Sequence, residues 1–431
     1  MRMRSAWTLG TDTPKKGIVV ACSLDAQSEN VGLVKDLIRR RGHVPLLLDF
    51  SLEAAPPFAG DITCEQVAAR GGVPVEKVRV FYRSDRTRAI ENQIAGAAAI
   101  VHDLLRAGRV HGIMGIGGAI ASHVATSIMK TLPFGLPKLM ASPLAADPAA
   151  IAAFVGTRDI TLHHTVLDIG KMNPLLKTQL TNAVGAICGM VDTTRGNDYV
   201  FDKPVVAVSS SGCAAVAVKA ALGMLEEEGF LPVVFEADGK GDRAMEEMIR
   251  DGAFAGVLDL CTGGVIEHLF MGNRDPGPGR LAGAVCRGIP AVLAPCGLDI
   301  LSYGGSRDNR TGSARKNRVE QNALRVQVRA SADELTFAAD TIAQRLNQAK
   351  GPFTFLIPRK GWSSLNREGR PMFDPAADAA FAHRLKEKID NGGAVVELDV
   401  NLDTRDFARI AVDEFVRLFA AASPQRLLNA L

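Results

Sequence analysis

The chain has 431 residues, of which 47% are hydrophobic, 23% charged and 5% aromatic, and it contains 42 glycines. These near-average values exclude a disordered or fibrous chain, and the length suits two or three domains that bury a core without disulfides or metal. Fifty Lys+Arg against 47 Asp+Glu leave a net charge of +3. That is too little for an electrostatic nucleic-acid binder, and no apolar run approaches the ~18 residues of a membrane span.

Met1-Arg2-Met3-Arg4 is not followed by an apolar stretch, so no secretory leader is expected. Residues 17–21, Gly-Ile-Val-Val-Ala, read as a buried strand. A helix follows, with Val31, Val34, Leu37 and Ile38 at helical spacing and Arg39-Arg40-Arg41 at its carboxyl end, where cations suit the dipole. Gly42 stops it, and Val44–Asp49 is the next strand. Residues 50–88 are polar, rich in Gly and Pro, and give no clear element. An amphipathic helix is expected over Asn92–Ala107, a strand over Val110–Ile116, a helix to about Lys130, a strand over Lys138–Ala141 and a helix over 173–191. Asp192–Lys203 reads as a linker.

The second half repeats this construction. Lys16-Gly-Ile-Val-Val-Ala matches Lys203-Pro-Val-Val-Ala-Val, and Gly42-His-Val-Pro45 matches Gly229-Phe-Leu-Pro232. Gly108, Gly112, Gly117-Gly118 and His123 match Gly252, Gly256, Gly263-Gly264 and His268. Gly135-Leu-Pro137 matches Gly288-Ile-Pro290. Further strands are expected at Phe353–Ile357 and Val395–Asp399, with a closing helix over 405–419. The expected fold is therefore α/β, two tandem Rossmann-like doubly wound domains with a cleft between them, residues 1–200 and 201–431.

In a doubly wound sheet, ligands bind beyond the carboxyl ends of the strands. Here those loops are rich in Gly, Ser and Thr, which favours an anionic small-molecule ligand held by backbone amides at helix starts. The first-domain candidates are Ser23, Asp25, Ser28, Gly117, Gly118, Ser122 and Ser142. Gly115-Ile-Gly117-Gly118-Ala-Ile-Ala-Ser122 is the best single loop, although it is neither a dinucleotide fingerprint nor a Walker A motif. The second-domain candidates are Gly239, Gly241, Arg243, Thr262, Gly263, Gly264 and Ser363. Cys261 at a helix start is a conceivable nucleophile, but a small buried residue is the favoured reading.

The seven cysteines, Cys22, Cys64, Cys188, Cys213, Cys261, Cys286 and Cys296, never form a Cys-x-x-Cys pair. They read as thiols of a reducing cytoplasm, with neither a disulfide framework nor a zinc site. His163-His164 on one strand point to opposite faces, so no metal site is expected there. His123 and His268 read as packing or capping residues. Arg307, Arg310, Arg315, Lys316, Arg318, Arg325 and Arg329 form a basic stretch that reads as a lid or anion-binding loop, or equally as a solvated loop.

Several segments resemble the Tm-1-like ATP-binding family, a formerly uncharacterised bacterial family with a plant relative. They include Ile116-Gly117-Gly118, Leu132-Pro-Phe-Gly-Leu-Pro137, Val155-Gly156-Thr-Arg-Asp159 and Asp168-Ile-Gly-Lys-Met-Asn173. Gly239-x-Gly241-x-Arg243, Gly256-Val-Leu-Asp259, Gly297-Leu-Asp299, Ile357-Pro-x-x-Gly361-Trp-Ser363 and Phe373-Asp-Pro375 continue the likeness through the second half. The resemblance implies a two-domain α/β fold that binds ATP with Mg2+ and dimerises; it implies no particular reaction. Some loops differ from the family's. Its Thr-x-Asp-Thr-Lys-Gly-x-Glu is here Cys22-Ser23-Leu24-Asp25-Ala26-Gln27-Ser28-Glu29, and its Thr-Thr-Thr-Glu is here Cys261-Thr262-Gly263-Gly264.

Two functions follow. The first is a cytoplasmic protein binding ATP or a related phosphate-bearing metabolite at these loops. The alternative is an enzyme acting on a small carboxylate or carbonyl metabolite in the interdomain cleft. There Asp299 and Glu267, with Asp25 and Asp238, would do acid/base work, and Arg329 would hold an acid group. The expected partners are a small anionic ligand and a second copy of the chain, with no nucleic acid and no membrane.

Overall fold

A computed structural model describes residues 15–194, 202–304, 317–322 and 325–422. The chain divides into two compact units, Met1–Tyr199 and Val200–Leu431. Among the described residues, no helix is long and apolar enough to cross a membrane.

The first unit comprises β1 (Gly17–Cys22), α1 (Leu24–Arg40), β2 (Val44–Asp49), α2 (Cys64–Arg70), α3 (Val75–Ser84), α4 (Arg86–Arg106), β3 (Gly112–Ile116), α5 (Ala119–Lys130), β4 (Lys138–Ser142), α6 (Pro148–Val155), β5 (Thr161–His164) and α7 (Pro174–Thr193). The strands form one parallel sheet in the order β2-β1-β3-β4-β5. Every residue of β1 is buried, because alternate side chains enter two different cores. Ile18, Val20 and Cys22 pack with Val34 and Ile38 of α1 and Leu180 of α7, while Val19 and Ala21 pack with Val101 of α4 and Val124 of α5.

Residues 50–88, which the sequence left without an element, hold α2, α3 and the start of α4. Thr63 and Gln66 close a reciprocal capping box at the head of α2. Leu52, Cys64, Val78 and Tyr82 form a small core of their own.

The second unit comprises β6 (Val205–Ser210), α8 (Ala215–Glu227), β7 (Leu231–Glu236), α9 (Lys240–Asp251), β8 (Gly256–Asp259), α10 (Gly264–Leu269), α11 (Ala282–Arg287), β9 (Ala291–Leu293), β10 (Ile300–Gly304), β11 (Arg318–Asn322), β12 (Arg325–Arg329), α12 (Ala332–Leu346), β13 (Phe353–Pro358), α13 (Pro375–Lys388), β14 (Ala394–Leu398) and α14 (Arg405–Ala422). Its main sheet is parallel in the order β14-β13-β9-β8-β6-β7. Reading β6 as the first strand gives the connectivity of the first unit with one strand added. Both units are therefore doubly wound, as the repeat predicts.

Between β9 and β13 lies an antiparallel sheet, β10-β12-β11. Part of the basic stretch is thus regular strand: Arg329 pairs across to Ile300 and Arg325 to Gly304. Arg307, Arg310, Arg315 and Lys316 lie outside the described residues, as does most of the expected linker.

Candidate functional site

In the first unit, β1 and β3 are neighbours whose following strands, β2 and β4, lie on opposite sides. Their carboxyl ends therefore form a topological switch point, where open α/β sheets bind ligands. The β3–α5 turn is built for close approach. Gly117 has φ +147°, and a Cβ there would collide with Ala121 and come within 2.9 Å of Gln27 Nε2. Gly118 caps α5 in extended conformation without a side-chain bond to the helix. A Cβ on Gly118 would meet nothing within 4 Å, so there is open space beside the start of α5.

Gln27 faces this turn. It interrupts α1 with non-helical backbone (φ −137°, ψ 26°) and is only 8% exposed. Its Oε1 has no hydrogen-bond partner among the described residues, and neither has Oδ1 of the nearby buried Asn30. Buried polar groups without partners are rare and mark either strain or a ligand. Composition offered no signal for Gln27; the sequence singled out its neighbours instead.

Those neighbours serve the scaffold. Ser122 Oγ lies 3.1 Å from the Gly117 carbonyl and 2.8 Å from Ser142 Oγ, both hydroxyls being buried. Ser142 Oγ also accepts from the Leu144 amide at 3.1 Å. The Asp25 carboxylate accepts from Ser23 Oγ (2.5 Å) and from the amides of Glu53 (2.9 Å) and Ala54 (3.1 Å), tying α1 to the loop after β2. Burial works against its charge, but the bonds from Ser23, Ala54 and Glu53 hold the carboxyl below its ordinary value. Ser28 sits half-buried just past the break in α1. Asp49, at the tip of β2, accepts from the Leu24 and Ser51 amides at 3.1 and 3.0 Å. Burial pushes its carboxyl up.

The second unit has its own switch point, between β6 and β8. Here a pocket is lined by Cys213, Cys261, Gly263, Glu267, Arg274 and Ser302, among others. Gly263 lets two strand tips meet, since a Cβ there would sit 2.6 Å from the Gly297 backbone. Glu267 projects from α10, is 4% exposed, and accepts from the Ser302 amide at 3.0 Å. Its Oε2 has no hydrogen-bond partner among the described residues. Burial raises this carboxyl to about 7, against the pull of Ser302 and Arg274.

The other second-unit candidates are engaged elsewhere. Gly241 lies against the Glu236 carbonyl and Gly239, at φ +93°, against the Arg274 backbone, so both serve the turn before α9. Arg243 pairs with Glu247 at 3.0 Å on the exposed face of α9. Thr262 Oγ1 donates to the Ala294 carbonyl at 2.8 Å. Gly264 faces Pro276, which a Cβ would approach to 2.8 Å. Ser363 Oγ accepts from the Asn366 amide at 3.0 Å.

Asp299 and Arg329 come together, with Asp299 Oδ2 3.3 Å from Arg329 Nη1. Arg329 also donates to Asp378 at 2.5 Å, and Asn366 Nδ2 donates to the other Asp378 oxygen at 3.0 Å. All of these are buried. Glu267 is linked towards this group along β10, through the Ser302 amide.

A second ionic cluster supports the pocket from below. Arg280, 1% exposed, donates to Asp259 at 2.5 and 2.7 Å, to Glu246 at 3.0 Å and to Asp242 at 3.1 Å. It also reaches the Cys261 carbonyl at 3.0 Å. Asp259 in turn accepts from Ser209 Oγ at 2.6 Å, and Ser209 Oγ accepts from the Cys261 amide at 2.8 Å. The loop carrying Cys261 is thus held at both its amide and its carbonyl. Among the described residues, no three His, Cys, Asp or Glu side chains are arranged to hold a metal ion.

The molecule is a two-unit, doubly wound α/β protein. The chain belongs to the uncharacterised protein family UPF0261: residues 16–196 match the model of its N-terminal domain and residues 203–419 that of its C-terminal domain. It is 32% identical to a UPF0261 protein of Clostridium tetani over 91% of this chain and 96% of that one. It is 26% identical to a UPF0261 protein of Brucella suis over 96% and 97%. The ToMV resistance protein Tm-1(GCR237) of Solanum lycopersicum is 29% identical over 71% of this chain, which spans 41% of that longer protein.

Proposed function

We propose that this chain is a ligand-binding protein whose first unit takes a phosphate-bearing metabolite, ATP foremost, at the β3–α5 turn. The observation that carries this reading is the open Gly117-Gly118 turn set against the unpartnered Oε1 of buried Gln27. Helix-start amides favour an anion, and the Gln27 amide reaches the same opening. The resemblance to the Tm-1-like ATP-binding family supports the nucleotide. Magnesium enters this proposal only as the nucleotide's counter-ion. Mg2+ usually binds through phosphates and one or two carboxylates, and the Asp25 carboxylate is already engaged by Ser23 and two amides. A cytoplasmic location, supported by seven unpaired thiols, and a homodimer, resting on the resemblance, complete the proposal; light scattering of the purified chain tests the dimer.

Titration calorimetry with ATP, ADP, AMP and inorganic phosphate, each with and without Mg2+, tests the site. Saturable heat with a phosphate-bearing ligand is expected; none with any of them at millimolar concentration overturns it. Gly118→Asp sharpens the test. Gly118 has φ −76° and ψ −157°, which any residue adopts, and there is room for a side chain. An N-cap aspartate stabilises a helix by up to about 1 kcal/mol, yet it puts a carboxylate where the anion would sit. The expected outcome is an unchanged or higher melting temperature with an affinity loss of at least about tenfold.

A second reading, an enzyme acting on a small carboxylate or carbonyl compound, is favoured by one observation. Glu267 lies in the second unit's pocket with its carboxyl near 7, the value suited to proton transfer at neutral pH. Arg274 lines that pocket, whereas Arg329 is committed to Asp299 and Asp378. Turnover in an unbiased metabolite screen, abolished in Glu267→Gln, would establish it.

A further inference from the structure

Three cysteines far apart in sequence meet at the carboxyl ends of three adjacent strands. Cys213 follows β6, Cys261 follows β8 and Cys296 follows β9, and β6, β8 and β9 are consecutive in the sheet. The Sγ atoms of Cys213 and Cys296 are 3.4 Å apart, and Cys296 also hydrogen-bonds to Cys261. Cys261 and Cys296 are buried, while Cys213 is partly exposed in the short turn Gly212–Ala214. All three line the same pocket, so a small molecule entering it meets Cys213 first.

We propose that this cluster is an oxidation site at which a hydroperoxide converts Cys213 and Cys296 into a disulfide. The inference is independent of the ligand read for the first unit. A disulfide needs its sulfurs about 2 Å apart, so a closure of roughly 1.4 Å from the observed 3.4 Å completes the bond. Cys213 is the attacking group. Hydrogen bonds with Cys296 and Ser211, the latter at 3.3 Å, hold its thiol below the ordinary value despite burial, which favours the nucleophilic thiolate. Cys296 is pushed the other way, chiefly by Cys213 and Cys261. It therefore keeps its proton until it acts as the resolving thiol.

The Cys213 thiolate attacks one oxygen of the hydroperoxide. An S–O bond forms, the O–O bond breaks, and the remaining alkoxide or hydroxide leaves with a proton from solvent. Sulfur is oxidised by two electrons and the peroxide is reduced, leaving a sulfenic acid. The sulfur of Cys296 then attacks that of Cys213. An S–S bond forms, the S–O bond breaks, and the departing hydroxide takes the Cys296 proton as water. The sum is two thiols and one hydroperoxide giving one disulfide, one alcohol (or water) and one water. The Gly263 amide donates to the Cys296 carbonyl at 3.1 Å, so the bond forms on a residue that also anchors the loop leading to Glu267.

The test uses the full chain with exposed Cys286 replaced by serine. It is treated with stoichiometric hydrogen peroxide, alkylated with N-ethylmaleimide under denaturing conditions and mapped by non-reducing peptide mass spectrometry. The expected result is the loss of two thiols to a Cys213–Cys296 cross-linked peptide, reversed by dithiothreitol. With Cys296→Ser, dimedone should trap a sulfenic acid on Cys213; with Cys213→Ser, no cross-link should form. A chain that keeps all its thiols overturns the proposal. So does a Cys261–Cys296 link in place of the expected one, or oxidation of Cys213 without a cross-link. The cross-link in the unaltered cluster is the primary readout, so the result does not depend on either variant folding.

Discussion

Replacing Arg280 with methionine should destabilise the second unit by about 3–5 kcal/mol, a large share of a domain's stability. Among the described residues the guanidinium is the one cation bonded to all of Asp242, Glu246 and Asp259, and each lies in the interior. Burial pulls the guanidinium pKa down, but the attraction of Asp259, Asp242 and Glu246 outweighs it and raises the group above its ordinary value. Methionine fills much of the space and removes the guanidinium that the three carboxylates share. The deficit should shrink on acidification. Asp242 and Glu246 already stand above the ordinary carboxylate range through burial; without Arg280 they would rise further, and once protonated they need no partner. Trp362 is fully buried in this unit, and the chain's other tryptophan is Trp7. Urea unfolding followed by Trp362 fluorescence in a Trp7→Phe background therefore reads the effect directly. A loss below about 1 kcal/mol would mean that the cluster is not what supports the β8 tip.

The strands and the repeat were legible because each buried strand is a short apolar run and because the paired glycines mark the same turns in both halves. Gly117 and Gly263 hold matching positions, and both permit a backbone approach that a Cβ would forbid. Residues 50–88 were not legible. The segment between Leu52 and Ala89 builds a separate small core, and its Pro and Gly residues mask the periodicity of two short helices. The β11–β12 hairpin was hidden by its arginines, although Val326 and Val328 alternate with polar residues as a strand requires. Arg329 is buried only because Asp299 and Asp378 meet it from distant parts of the chain, and no local pattern announces that. At the candidate sites, sequence located the loops but not the direction of their side chains. Ser122, Ser142, Thr262 and Ser363 look like ligand hydroxyls in a one-dimensional reading, yet each is buried against its own scaffold. Cys213, Cys261 and Cys296 are scattered in sequence but gathered by strand order. Their shared signal, each following a strand, becomes visible only once the order of those strands is known.

Glu267→Gln should stabilise the second unit at neutral and alkaline pH and change little in acid. In the folded chain this carboxyl titrates at about 7 against an ordinary 4.5, because burial disfavours its charge more than Ser302 and Arg274 favour it. The folded protein therefore holds a proton over a range in which the unfolded chain has released it. Where the folded state binds the extra proton, stability falls as pH rises. The contribution is fully present below about 4.5 and is lost as pH climbs through about 7. A shift of this size corresponds to about 3 kcal/mol, with little solvent screening because the residue is 4% exposed. The amide of the variant cannot ionise, and its carbonyl can still accept from the Ser302 amide. The stability difference between variant and parent should accordingly grow from near zero below pH about 4 to a plateau of about 3 kcal/mol above pH about 8. Asp378 titrates in the same range for the same reason, burial, but it is common to both proteins and cancels in the difference. Urea denaturation followed through Trp362 across that pH range measures the curve. A difference independent of pH would show that Glu267 is ionised in the folded chain at acid pH as well. That outcome would also remove the observation on which the enzymatic reading of this pocket rests, since a carboxylate with an ordinary acid strength offers no proton at neutral pH.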